Sequence, residues 1–255
     1  MPLEIVTIPC LSDNYAYLAH DAASGETALV DAPEAGPILA ELENKGWLLN
    51  KVLITHHHDD HVMGLKAILA ENKAEVIGNA ADAGRLPPLD LAVNEGDDVT
   101  IGVEKGVVID VSGHTVGHVA YHFAEAEVVF TADSLMALGC GRVFEGTKPQ
   151  MFESLQKLAA LPPETLVCSG HEYTAANGKF ARTIDPDNPA LISRLKDVVA
   201  KRAVGTPTVP STLADELATN PFLRADSPGV RANLDMQTAK SVDVFAEIRK
   251  RKDNF

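Results

Sequence analysis

Residues 55–61 read Thr-His-His-His-Asp-Asp-His, which places four imidazoles and two carboxylates within seven positions. Nitrogen and oxygen donors at that density point to metal binding. The alternative is a solvated histidine-rich loop, but polar tracts of that kind normally lack flanking strand and helix patterns. Here Lys51-Val52-Leu53-Ile54-Thr55 has the composition of a buried strand, and Val62 to Ala70 repeats its apolar positions at helical spacing. The cluster therefore occupies a strand-to-helix loop. In its extended first half successive side chains alternate in direction, so His56 and His58 converge on one point and His57 faces away. Asp60 and His61 then turn toward a second point nearby.

A site holding two metals needs more ligands than one loop supplies, and three further strand ends offer them. His114 lies in Ser112-Gly113-His114-Thr115, after a strand predicted over 107–111, where glycine permits close backbone approach. Asp133 follows a strand over 128–131, and His171 follows one over 166–168. Taken singly, each has a structural reading, as a hydrogen-bonded histidine or a turn aspartate. Taken in order, His-x-His-x-Asp-His, His, Asp, His resembles the metallo-β-lactamase superfamily, whose members bind two metal ions side by side. The resemblance implies one set of His56, His58, His114 and Asp133 and a second of Asp60, His61, His171 and Asp133, with Asp133 bridging. Such ligands suit two divalent ions per chain, zinc first, with iron or manganese as alternatives. His118 and His122 read as supporting or core residues, and Asp31 as a carboxylate placed to orient the loop by hydrogen bonding.

The elements that must position these residues alternate through the first two thirds of the chain. Strands are predicted over 4–8, 16–19, 27–30, 51–54, 75–77, 107–111, 119–123, 128–131 and 166–168, with helices near 35–45, 62–72 and 150–160. With strands outnumbering helices nine to three, roughly two flanking each helix, the pattern favours an α/β sandwich of two sheets with outer helices, αββα, over strict βα alternation. Beyond Tyr173 the pattern turns helical, over 174–183, 190–204, 211–219 and 235–251, with Ser211 as the cap of the third. Two domains are expected, a metal-binding catalytic part over 1–172 and a helical substrate-binding part over 173–255.

At 255 residues, 45% hydrophobic and 23% charged, the composition is that of a globular protein with a substantial core. A net charge of -14 argues against a nucleic-acid partner, because a phosphate-binding surface is usually strongly basic. Three cysteines without a Cys-x-x-Cys pair indicate neither a disulfide framework nor a thiolate metal site, and a reducing cytoplasm is expected. The amino-terminal residues carry no leader pattern, and no apolar run is long enough to span a bilayer.

Metal-activated water supports hydrolysis. No nucleophile elbow is present, and Cys140, between Gly139 and Gly141, reads as a tight-turn residue more readily than as a nucleophile. Thr55-His56-His57-His58, the stretch Leu138 to Thr147, Gly170-His171-Glu172-Tyr173-Thr174, Asn220-Pro221-Phe222-Leu223-Arg224, Ile8-Pro9-Cys10 with Asp13-Asn14-Tyr15, and the final Arg249-Lys250-Arg251-Lys252-Asp253 together resemble the glyoxalase II family along essentially the whole chain. That resemblance implies an αββα sandwich with a helical carboxy-terminal domain and cleavage of S-D-lactoylglutathione to D-lactate and glutathione by a metal-bridging hydroxide. It makes Asp60 and Asp133 catalytic as well as metal-binding. It assigns the glutathione moiety to Arg142, Phe144, Tyr173, Arg249 and Lys252, of which the three cations are what a chain of net charge -14 needs to attract a substrate with two carboxylates. Their other reading is that the terminal cations merely complement a helix carboxy terminus.

Three positions depart from the family pattern. Phe144 stands where a tyrosine is usual, Arg142 where a lysine is common, and Met63 is bulkier than expected. A mononuclear-iron persulfide dioxygenase is the alternative activity, and Asp60, His61, His171 and the helical region from 174 onward favour the hydrolase. A monomer is expected.

Overall fold

The computed structural model describes residues 3–255, which divide into two compact units, one running to Asp110 and including Val116–Ala132, the other made of Val111–Thr115 with Asp133–Phe255. The compact units thus cut the chain elsewhere than the change of pattern at 173.

The first unit holds two sheets. In the first, β1 (Glu4–Cys10), β2 (Asn14–Asp21) and β3 (Glu26–Val30) pair antiparallel, and β4 (Leu49–Leu53), β5 (Glu75–Asn79) and β6 (Leu91–Val93) continue from β3 in parallel. Parallel neighbours need a crossover. Helix α1 (Ala35–Lys45) makes the first, and α2 (Asp59–Val62) with α3 (Leu65–Glu71) makes the second. Ile38 and Leu42 of α1 and Leu65 and Ile68 of α3 join Leu18, Leu29, Val52 and Val76 in one apolar cluster, so these helices cover one face of the sheet. Every residue of β2 is buried, as expected of a strand covered on both faces.

What covers the other face is an antiparallel meander of β7 (Asp98–Ile101), β8 (Glu104–Asp110), β9 (Val119–Phe123) and β10 (Val128–Ala132). Rings of Tyr17 and Phe130 meet across the interior at 5.8 Å, and Lys51 Nζ donates to the Thr100 carbonyl at 2.7 Å. The α/β sandwich read from the sequence is present. Strands β6 and β7 escape the sequence reading because they are short and half of their residues face water.

The second unit contains the tight hairpin β11 (Leu135–Met136) and β12 (Gly139–Cys140), helix α4 (Lys148–Ala159) and the antiparallel pair β13 (Leu166–Ser169) and β14 (Ser211–Thr212). Helices α5 (Thr174–Ile184), α6 (Pro189–Ala203), α7 (Leu213–Thr219), α8 (Pro228–Asn233) and α9 (Ser241–Asp253) follow. Thr147 and Gln150 form a reciprocal capping box that starts α4. Phe180, Phe222 and Phe245 pack ring against ring at 5.8–6.1 Å in its interior.

Two expectations are corrected here. Thr212, not Ser211, caps α7 by accepting from the Asp215 amide, while Ser211 lies in β14 and donates to the buried Glu216. The helix expected over 235–251 begins only at Ser241, after a separate helix, α8, has ended at Asn233 and the chain has passed Asp235 at φ 57°.

One contact fixes where the histidine loop can sit. The Ala32 amide donates to the His61 carbonyl at 2.7 Å, and the Gly64 amide to the Ala32 carbonyl at 2.8 Å. A Cβ at Gly64 would lie 2.9 Å from both the Ala32 oxygen and the Ala35 nitrogen, backbone atoms that cannot step aside. Gly64→Ala should therefore lower stability by about 2 kcal/mol, as overpacking a tight contact does. An unchanged midpoint in urea unfolding would show that the two turns separate freely.

Candidate metal centre

In the first unit the loop from β4 to α2 is ordered by one carboxylate. Asp31, buried at φ 57° where an aspartate tolerates the left-handed region, accepts from the Thr55 amide and the Thr55 hydroxyl, each at 2.8 Å, and from His61 Nδ1 at 2.7 Å. Because the Thr55 hydroxyl donates to Asp31, its oxygen accepts from His56 Nδ1 at 3.0 Å. Both imidazoles thereby carry their proton on Nδ1 and present the Nε2 lone pair. His56 Nε2 lies 3.2 Å from His58 Nδ1, and His61 Nε2 lies 3.7 Å from Asp60 Oδ2. Asn14, beneath the loop, donates to the Asp60 side chain at 2.9 Å and to its carbonyl at 3.0 Å. Asp31, His56 and His61 bring possible metal-binding atoms within 4.8 Å of one another, but the oxygens of Asp31 already accept three hydrogen bonds, which makes it the support and not the ligand.

His57 turns the other way, toward Asp82 at 3.1 Å, which Arg85 also grips. His118 is buried and lies parallel on His56 with ring centres 4.5 Å apart, a support role in line with the sequence reading. His122 sits half-buried on β9, and burial lowers its pKa. Met63 points into solvent, so its bulk leaves the loop unchanged.

The second unit brings together His114, Asp133 and His171. Ala132, at φ 40°, bends the chain as β10 ends, just before Asp133. Asp133 Oδ2 lies 3.5 Å from His114 Nε2 and 3.3 Å from His171 Nε2. His114 donates from Nδ1 to the Arg142 carbonyl at 2.8 Å, so it too offers Nε2. A Cβ at Gly141 would fall 2.0 Å from the Asp133 carbonyl oxygen and 2.9 Å from His114 Nδ1, so only glycine lets the chain pass behind both residues.

These distances test the fit of a metal. Two nitrogens held tetrahedrally by one zinc at about 2.0–2.1 Å are separated by about 3.3–3.4 Å. The four spacings between donor atoms within the units are 3.2, 3.3, 3.5 and 3.7 Å, within about 0.3 Å of the edges of such a coordination shell. Imidazole and carboxylate donors fit divalent zinc, iron or manganese, and no thiol takes part. Cys10 and Cys140 are buried, with pKa values pushed up to about 11, and burial raises Cys168 further. Cys140 lies on β12 with Leu138 of the preceding turn at φ 57°, and its thiol is no nucleophile.

Of the residues assigned to a substrate, Arg142, Phe144 and Tyr173 have open side chains. The Phe144 ring stands 5.3 Å from His114, and Tyr173 stacks on His171 at 4.6 Å. Lys252 Nζ lies over the rings of Phe180 and Phe255, and partial burial with Arg249 nearby lowers its pKa. Arg249 is different. It is buried at 3% exposure, donates to the Cys140 carbonyl at 3.0 Å and to Asp253 at 2.9 Å, and lies over Phe222. The sequence places it in a basic run and gives no sign of that burial.

Residues 13–171 match the family model described as the metallo-beta-lactamase superfamily, and residues 172–255 one described as the hydroxyacylglutathione hydrolase C-terminus. A hydroxyacylglutathione hydrolase from Ruegeria pomeroyi is 63% identical over 255 residues, all of both chains. Among solved structures, ETHE1 from Myxococcus xanthus is 25% identical with a TM-score of 0.70, covering 99% of this chain and 92% of that one. The protein TTHA1623, in a di-iron-bound form, is 25% identical with a TM-score of 0.63, covering 86% and 100%.

Asp31→Ala should weaken zinc binding by about ten- to a hundredfold, the usual effect of removing a partner that orients a metal-binding histidine. Competition with a chromophoric chelator measures it. Affinity equal to that of the unaltered protein would assign Asp31 to folding alone.

Proposed function

Because the chain belongs to the hydroxyacylglutathione hydrolase family of the metallo-β-lactamase superfamily, we propose that it hydrolyses S-(2-hydroxyacyl)glutathione thioesters, chiefly S-D-lactoylglutathione to D-lactate and glutathione, the hydrolytic step of methylglyoxal detoxification. A single Asp133 oxygen within 3.5 Å of the Nε2 atoms of two imidazoles is the observation that supports this activity most directly. The active form holds two divalent ions, zinc first and iron or manganese as alternatives. His56, His58, His114 and Asp133 would hold one ion and Asp60, His61, His171 and Asp133 the other. The donor spacings and the di-iron form of TTHA1623 support two ions. Division into a catalytic part over 1–172 and a substrate-binding part over 173–255 is supported by the two family models, which meet at 171 and 172. We take the enzyme to be a cytoplasmic monomer, and its three buried cysteines suit a reducing compartment.

When bound, the ions supply a hydroxide at neutral pH and polarise the thioester carbonyl. The chain's own residues do the rest. Asp31 and Thr55 hold His56 and His61 in the tautomer that presents Nε2, and Asn14 fixes Asp60. Arg142 and Lys252 offer positive charge to the carboxylates of glutathione, with Phe144 and Tyr173 as apolar walls. Arg249 serves the same binding region by holding the Cys140 carbonyl; direct contact with substrate requires its guanidinium to leave that bond. A thiol leaves as thiolate, with a pKa of about 8.5, and needs no strong general acid.

Purified, metal-analysed protein should release thiol from S-D-lactoylglutathione with close to two metals per chain. Metal-replete protein that releases none, yet consumes oxygen with glutathione persulfide, would replace this reading with the dioxygenase. Asp133→Ala should lose metal and activity together, and full activity in that variant would refute the bridging role. Lys252→Ala should raise KM about ten- to a hundredfold, the loss of one charged hydrogen bond. An unchanged KM would limit Lys252 to the helix end.

A further inference from the structure

The hairpin that follows Asp133 has no stability of its own. Its strands are two residues each, Ser134 to Cys140 are buried throughout, and Leu138 takes φ 57°, a conformation a branched residue adopts only when its surroundings impose it. Buried backbone groups in so short a hairpin must find partners outside it. Side chains of the helical segment supply them. Asn220, at the end of α7, donates to the Met136 carbonyl at 3.0 Å and the Gly139 carbonyl at 2.9 Å. Asn177 of α5 donates to the Ala137 carbonyl at 3.1 Å. Glu216 of α7, wholly buried, accepts from the Leu138 amide at 2.9 Å and from Asn220 at 3.1 Å, and its charge is matched by Arg194 and the Ser211 hydroxyl.

Both ends of this hairpin touch the metal ligands. Asp133 immediately precedes it, and the Gly141 amide after it donates to the Ser134 carbonyl at 3.1 Å, with the Gly141 backbone pressed against Asp133. The next carbonyl, that of Arg142, holds His114 Nδ1. We infer that Asn220, acting with Glu216 and Asn177 through the hairpin carbonyls and the Leu138 amide, is a positioning residue that sets Asp133 and His114 for metal binding. This rests on the metal site proposed above. The helical segment then does more than face the substrate: it completes the geometry of a metal ligand 87 positions earlier in the chain.

Zinc retention separates this role from a general contribution to folding. Unaltered protein, Asn220→Ala and a control, Asn188→Ala, are loaded with zinc, dialysed against a chelator and analysed for metal, with circular dichroism and thermal unfolding in parallel. Asn188 is a suitable control because it is also a buried asparagine of the helical segment, caps α6 through the Ala190 and Leu191 amides, and directs its hydrogen bonds to Asp185, Ala218, Ala190 and Leu191 and not to the hairpin. Asn220→Ala should bind zinc about ten- to a hundredfold more weakly and lose kcat with KM little changed. Asn188→Ala should melt earlier yet retain zinc within about twofold of the unaltered protein, outside the range expected from a metal-orienting partner. Glu216→Gln, which keeps an acceptor for the Leu138 amide, should retain zinc better than Glu216→Ala. Equal zinc affinity in Asn220→Ala and the unaltered protein, or equal losses in Asn220→Ala and Asn188→Ala, would overturn the inference. If Asn220→Ala fails to fold, Asn177→Ala, which removes one contact, decides by the same criterion. Unaltered protein that holds none of zinc, iron or manganese would refute the metal site itself and this inference with it.

Discussion

The Asp31 carboxylate receives the Thr55 amide, the Thr55 hydroxyl and His61 Nδ1 within 2.8 Å, and the histidine loop keeps its shape through those three donors. A carboxylate taken out of water is costly unless it is fully hydrogen-bonded, so the turn after β3 and the loop after β4 cannot relax independently. Several features follow from that constraint. Asp31 adopts a positive φ that aims its carboxylate at the loop, Gly64 lets the two turns touch, and the proton on His61 and, through Thr55, on His56 is fixed on Nδ1. The ring nitrogens left over are those that a metal requires.

The second unit solves the same problem with different groups. Where the first unit aligns imidazoles with a buried carboxylate, the second aligns Asp133 and His114 through backbone carbonyls, held by Asn220, Asn177 and Arg249. In both units most of the polar groups that could hold metal are buried, His58 and Asp60 being half-buried, and their partners are polar groups of the chain. That arrangement leaves little freedom for side chains to move when metal binds, which is the preorganisation a catalytic metal site needs.

How much of this the sequence shows depends on the range over which each signal acts. The loop was legible because strand and helix periodicity bracket a dense run of ligand types, and alternation along an extended chain separates His57 from His56 and His58. Strands β6 and β7 were not, since three or four residues, even when they alternate as those of β7 do, are too short a run to stand out from a loop. The break between α8 and α9 depends on Asp235 in a left-handed conformation, which an aspartate only permits and does not signal. Arg249 shows the limit most clearly: in the sequence it is one cation of a run, yet a helical turn inward from Lys252 it is buried against Phe222 and the Cys140 carbonyl. Glu216 reads as a first-turn acid favoured by a helix amino terminus and is instead a wholly buried acceptor for the hairpin. Long-range partners of single polar residues leave no local trace.

Everything proposed for catalysis converges on one carboxylate shared by two ions. Crystals of zinc-loaded protein, measured at the zinc absorption edge, test that sharing directly. Two anomalous peaks about 3.5–4 Å apart, each about 2.0–2.2 Å from an Asp133 oxygen, are the expected result. A single peak, or a second ion bound without Asp133, would contradict it.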